Sequence, residues 1–137
     1  MKPTLYIIRG LPGSGKSTFA CKTFPELNVF EADQFFGEDY NWNGDFISDA
    51  HNWCYFSVLN DLYNGKDVVV SNTFTTRKEL ERYFKIKEKL DIDIVIYEIK
   101  TQFESVHDVP ERVLQRMKDR WYNFPSDFNF AEVVEVN

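Results

Sequence analysis

Gly10-Leu11-Pro12-Gly13-Ser14-Gly15-Lys16-Ser17 fits the pattern G-x-x-x-x-G-K-[ST] at every fixed position. Leu5-Tyr6-Ile7-Ile8 before it reads as a buried strand ended by Gly10, and Lys16 to Lys22 after it reads as a helix. In that setting the glycines let the backbone curl so that successive N–H groups point inward. The helix adds its positive N-terminal end. Lys16 sets a mobile charge against the outer phosphates of a nucleotide, and the Ser17 hydroxyl is placed to ligate Mg²⁺. Gly10, Pro12, Gly13, Ser14, Gly15, Lys16, Ser17 and Thr18 are therefore the expected ATP-binding residues. The motif points to a bound nucleoside triphosphate and leaves the phosphate acceptor open.

Working outward, Asn28-Val29-Phe30-Glu31 reads as a short second strand and Asp39 to Asp45 as a loop. Phe46 to Tyr63 is the clearest helix: Ile47, Ala50, Cys54, Val58 and Leu62 recur at helical spacing, and Asn64-Gly65 closes it. Asp67 to Ser71 is a buried strand, Thr76 to Leu90 a charged helix, and Asp91 to Ile99 a strand with apolar residues on both faces. Pro110 opens a last helix expected to end near Asn123. Strands alternating with helices imply an α/β fold with a mainly parallel sheet flanked by helices in three layers. Ligands of such sheets bind at the carboxyl ends of the strands. That rule singles out Gly10–Ser17, Asp33, Ser71–Thr73 and the segment after Lys100.

The chain has 137 residues, the size of one domain. Hydrophobic residues make up 43% and charged residues 28%, which excludes a disordered chain. Its apolar runs are too short for a membrane span, and the start lacks signal-peptide architecture. Cys21 and Cys54 have neither metal nor redox spacing and read as buried helix thiols, which suits a reducing cytoplasm. The formal charge is −6, and Thr23 to Gly65 carries eight acids and no Lys or Arg. A protein that coats duplex nucleic acid neutralises many phosphates, so this balance argues against one. A local basic cleft is compatible with it.

Asp33 follows the second strand, where a carboxylate facing a phosphate loop can take the proton of an attacking hydroxyl or act as a helix cap. Ser71-Asn72-Thr73 ends the third strand without the acid that P-loop ATPases use there for the metal. Asn72 and Thr73 can instead hold phosphate oxygens or the acceptor hydroxyl. Arg112, Arg116 and Arg120 are spaced to stripe one face of the last helix. An arginine there, Arg116 first, can neutralise charge building on a transferred phosphoryl group. His107 stands at the approach to that helix, and Tyr40 and Trp42 lie in an acidic loop where they can stack on one base or sugar. Trp53 and Phe56 read as core.

Taken together these segments resemble the small P-loop kinase-like ATPases related to bacteriophage polynucleotide 5′-kinase, which include phage kinases of hydroxymethylated pyrimidines in DNA. The resemblance runs over about residues 4–123 and is carried by Arg9–Thr18, Glu31-Ala32-Asp33, Ala50-His51, Ser71–Thr75 and Val106–Pro110 with Arg116-Met117. It implies a P-loop kinase core with a C-terminal lid helix, the domain expected over residues 1–124; after Pro125, residues 125–137 read as a tail or, at Val133-Val134, a short final strand. It implies Asp33 as general base and Thr73 as a hydroxyl near the acceptor. Phe36 stands where the phage kinase has an acceptor-binding arginine, and Glu104-Ser105 where relatives carry Arg-Asn. The expected activity is transfer of the ATP γ-phosphate, with Mg²⁺, to a hydroxyl of a nucleic acid or nucleotide, in the cytoplasm (of the host, if phage-encoded). A nucleoside or sugar kinase and a non-catalytic ATP-binding adaptor are the alternatives.

Overall fold

A computed structural model describes residues 2–37, 43–101 and 109–137. Its sheet has five strands: β1 (Thr4–Arg9), β2 (Val29–Phe30), β3 (Val68–Asn72), β4 (Asp93–Ile99) and β5 (Glu132–Val136). Their order is β2-β3-β1-β4-β5, and every pairing is parallel. The helices are α1 (Lys16–Thr23), α2 (Ile47–Tyr63), α3 (Arg77–Phe84) and α4 (Glu111–Asp119). The expected α/β architecture is thus present, and β5 carries the sheet beyond β4 in the register Ile96↔Val133. Among the described residues no helix is long and apolar enough to cross a membrane.

Alternation along the strands separates two apolar layers. Leu5, Ile7, Val68, Val70, Ile94 and Ile96 face α2 and α3, meeting Cys54, Val58, Leu62, Leu80 and Phe84. Ile8, Val69 and Ile99 face α1, meeting Ala20. Because β1 connects outward to β2 and β3 on one side while β4 and β5 lie on the other, the crevice of the sheet opens at the carboxyl end of β1. Thr76 starts α3 with a reciprocal cap: its hydroxyl accepts from the Glu79 N–H, and the Glu79 carboxylate accepts from the Thr76 N–H.

Four expectations are corrected. The segment from Thr76 to Leu90 is not one helix, since α3 ends at Phe84 and a 3₁₀ turn covers Lys85–Glu88. The last helix stops at Asp119 because Trp121 and Tyr122 turn inward; the Tyr122 N–H donates to the Thr75 carbonyl at 2.7 Å instead of continuing the helix. Cys21 is exposed, since Ala20 is the residue α1 buries. Phe56 is 58% exposed, pointing away from the α2 face made by Ala50, Cys54, Val58 and Leu62, whereas Trp53 packs edge-on to Phe30.

Candidate active site

The phosphate loop begins where β1 runs out of sheet partners. Gly10 is buried, and a Cβ there would stand 2.5 Å from Ser14 Oγ and 3.2 Å from Ile99 Cβ. The loop then turns through a Ser14 N–H bond to the Leu11 carbonyl and places Gly13 and Gly15 at φ of 80° and 89°. Those left-handed values favour glycine. Gly15 occupies the cap of α1 with no side-chain cap bond, so the first N–H groups of the helix stay directed at the loop. Gly10→Ala should therefore weaken both nucleotide binding and folding. The expected result is at least a ~10-fold loss of ADP affinity by calorimetry, with about 1–3 kcal/mol of overpacking cost in a urea melt.

Two further features suit an anion. Ser14 Oγ is buried without a hydrogen-bond partner among the described residues, a cost usually tolerated where a ligand supplies the partner. Lys16 folds back so that Nζ donates to the Leu11 carbonyl at 3.1 Å. Burial pushes its pKa down, and the negative charges of Glu31 and then Asp33 oppose this. A polyphosphate in the loop would raise it again. The Ser17 hydroxyl donates to Glu31 Oε1 at 2.6 Å, an oxygen pair of the kind a hard Mg²⁺ ion accepts. The loop and these side chains fit a nucleotide with its metal.

The neighbouring strand ends supply the other wall. Asp33 sits exposed in a 3₁₀ turn over Ala32–Phe36, and Glu31, not Asp33, holds the cap position of that turn. Phe35 and Phe36 follow it in the chain, their ring centres 5.5 Å apart; Phe36 packs against the core, and Phe35 stays exposed. Asn72 is committed within the protein: its Oδ1 accepts from the Ala32 N–H at 3.0 Å, and its Nδ2 donates to Cys54 Sγ at 3.7 Å. It positions the turn that carries Asp33. Thr73 is half-buried beside it. Arg112 and Arg116 are exposed on α4; Arg120 lies just past that helix, its Nε donating to Thr75 Oγ1 at 2.9 Å. Pro12 lines the loop, and Thr18 is exposed in the first turn of α1. Tyr40, Trp42, His107 and the Glu104-Ser105 pair lie outside the described residues.

Sequence reasoning missed the role of Arg9. It is fully buried, on the same strand face as Leu5 and Ile7. Its Nε and Nη2 donate to the Phe74 carbonyl at 3.0 and 2.7 Å, and its Nη1 donates to the Tyr122 carbonyl at 3.0 Å. Glu98 lies 3.6 Å away, and the Trp121 ring covers the guanidinium at 3.8 Å. Burial pushes its pKa down to about 10, against the pull of Glu98, so it stays charged at neutral pH. One side chain thus ties the start of the phosphate loop to the loop after β3 and to the segment after α4. It also holds Phe74 at φ 47°, a strained value for a residue with a side chain. The signal was available: a cation closing an apolar strand on its buried face must find several acceptors.

A family model described as an AAA domain matches residues 5–125. The chain is similar to the uncharacterized protein PM0531 of Pasteurella multocida (strain Pm70), with 28% identity over 136 residues, covering 83% of this chain and 74% of that protein. Its fold is similar to that of a chain in the structure of the Pnkp1/Rnl/Hen1 RNA repair complex, with a TM-score of 0.70 at 20% identity, covering 87% of this chain and 44% of that one. It is similar too to a sugar kinase from Janibacter sp. HTCC2649, with a TM-score of 0.65 at 14% identity, covering 99% of this chain and 85% of that one. At these identities the two structures speak for the fold alone, and this chain spans less than half of the RNA repair chain. With the match extending from β1 across the phosphate loop and through α4, the chain belongs to the AAA domain family AAA_33 and has a P-loop kinase-like fold.

Proposed function

We propose that this protein is a kinase that transfers the γ-phosphate of ATP to a hydroxyl of a nucleic acid or nucleotide, such as a hydroxymethylated pyrimidine or a 5′-hydroxyl end. The observation that carries the reading is a complete phosphate loop with Asp33 exposed on the neighbouring turn, which Asn72 at the end of β3 holds through the Ala32 N–H. The likeness of the fold to a chain of an RNA repair complex supports a nucleic-acid acceptor. The exposed Phe35 ring, two residues after Asp33, supports contact with a base.

In this reading the loop amides and Lys16 hold the β- and γ-phosphates. Asp33 takes the proton of the acceptor hydroxyl as its oxygen bonds to the γ-phosphorus, and the bond from that phosphorus to the β–γ bridging oxygen breaks to release ADP. Ser17 would hold Mg²⁺ from the protein side, and the ion would supply neutralisation of charge on the phosphates. Asn72 steadies the turn bearing Asp33, and Arg116, with Arg112, approaches the transferred group from α4. Thr73, His107, Tyr40 and Trp42 are the proposed acceptor contacts.

A second reading, a sugar or nucleoside kinase, is favoured by the acidic stretch from Thr23 to Gly65, which repels a phosphate backbone. Radiolabelled ATP with a panel of 5′-hydroxyl oligonucleotides, hydroxymethyluracil DNA, nucleosides and sugars tests both. Asp33→Asn should lower transfer about 10²–10⁴-fold while ATP still binds. ATP binding that survives this substitution, with no labelled product from either form, leaves only the adaptor reading. Acceptor affinity that falls steeply with salt marks a nucleic acid; a flat response marks a small uncharged acceptor.

A further inference from the structure

We infer that Glu31 is the carboxylate of the metal site, standing in from the end of β2 for the acid that the end of β3 lacks. The inference deepens the kinase reading and rests on its placing of a nucleotide in the loop. The Ser17 hydroxyl, the metal ligand of the motif, directs its proton at Glu31 Oε1 over 2.6 Å. That contact leaves the hydroxyl lone pairs for a cation and sets a carboxylate within reach of the same ion or of one of its waters. Glu31 also holds the cap position of the turn over Ala32–Phe36, where an acid ordinarily bonds the turn's own N–H groups. It makes no such bond, and its carboxylate crosses to α1 instead.

The end of β3 explains the need. Strand alternation places Ser71 on the same face as Val69, which packs against α1, directly below the phosphate loop. A metal-binding acid of a P-loop protein belongs there. Ser71 presents only a hydroxyl, and its Oγ is buried without a partner among the described residues. Asn72 faces the opposite side and is occupied by the Ala32 N–H and Cys54. That same Asn72 bond pins the residue next to Glu31, and the pairing Phe30↔Val70 holds the end of β2 beside β3. Glu31 is thus delivered to Ser17 by the neighbouring strand. The two acids two residues apart divide their work: Glu31 toward the metal, Asp33 toward the acceptor. Among the described residues no group of three or more His, Cys, Asp or Glu is placed to hold a metal alone. Metal binding should therefore depend on the nucleotide, as is usual for Mg²⁺.

The test uses the full chain, ADP, and Mn²⁺ as a paramagnetic probe of the Mg²⁺ site, with free Mn²⁺ read by electron paramagnetic resonance. Wild type should bind Mn²⁺ tightly only with ADP present. Glu31→Gln should weaken Mn²⁺ in the ADP complex about 10–100-fold. In EDTA the same variant should bind ADP as well as wild type or better, because a negative charge beside the phosphates has gone. Glu31→Asp, with its fold checked by thermal melting, should recover part of the loss, and Asp33→Asn should leave Mn²⁺ affinity within about 2-fold. Unchanged Mn²⁺ affinity in Glu31→Gln, a loss that follows Asp33 instead, or no effect of Mn²⁺ on wild-type ADP binding overturns the assignment. Mn²⁺ binding that depends on Glu31 in a protein that labels no acceptor removes the kinase reading and keeps the metal one.

Discussion

Arg9→Ala is expected to lower the melting temperature by about 10–20 °C, the largest stability effect of any single change near the site. The truncation leaves the Phe74 and Tyr122 carbonyls without these donors and Glu98 with Lys100 as its remaining ion partner among the described residues. It also opens a void under the Trp121 ring. Removing one member of a buried charged network costs about 3–5 kcal/mol, because the groups left behind stay dry and unpaired. Arg9→Lys keeps the charge and loses the fork that reaches two carbonyls, so it should fall between wild type and alanine. A differential scanning trace within about 3 °C of wild type for Arg9→Ala would show the network to be dispensable.

Lys16→Met should behave in the opposite way. Phosphoryl transfer should drop about 10²–10³-fold, the usual cost of removing one positioned donor to developing charge. The melting temperature should hold or rise. The ammonium is half-buried, desolvation pushes its pKa down, and its hydrogen bond in this structure goes to a single backbone carbonyl. An unbranched apolar side chain of similar length sheds the desolvation cost. A site kept for function at some expense of stability behaves this way. A matched loss of stability and transfer would instead mean that Lys16 is structural.

The parts of this protein that are local in sequence were legible. The phosphate loop carries its own turn chemistry, and α2 shows its buried stripe at Ala50, Cys54, Val58 and Leu62 by spacing alone. β1, β3 and β4 were plain because both faces of a parallel sheet are apolar, whereas β5 was open between a tail and a strand. What escaped depends on distant partners. Helical spacing in Arg112, Arg116 and Arg120 ran past the true end of α4, because the Thr75 carbonyl and the Arg9 guanidinium compete for the backbone of Tyr122. Glu31 was visible only as a neighbour of Asp33, since nothing local says that its side chain crosses to Ser17. Asn72, expected to face the acceptor, turns its amide to Ala32 and Cys54, a choice fixed by how β2 lies on β3.

The bond from Arg9 to Tyr122 spans 113 positions of the chain. During synthesis, the residue that opens the phosphate loop waits for almost the whole domain before the last of its hydrogen bonds can form. Pairing of such sequence-distant segments is slow, since chain ends must be brought together before any contact rewards them. The tie between the start of the loop and the segment after α4 is among the contacts of longest sequence separation in the domain.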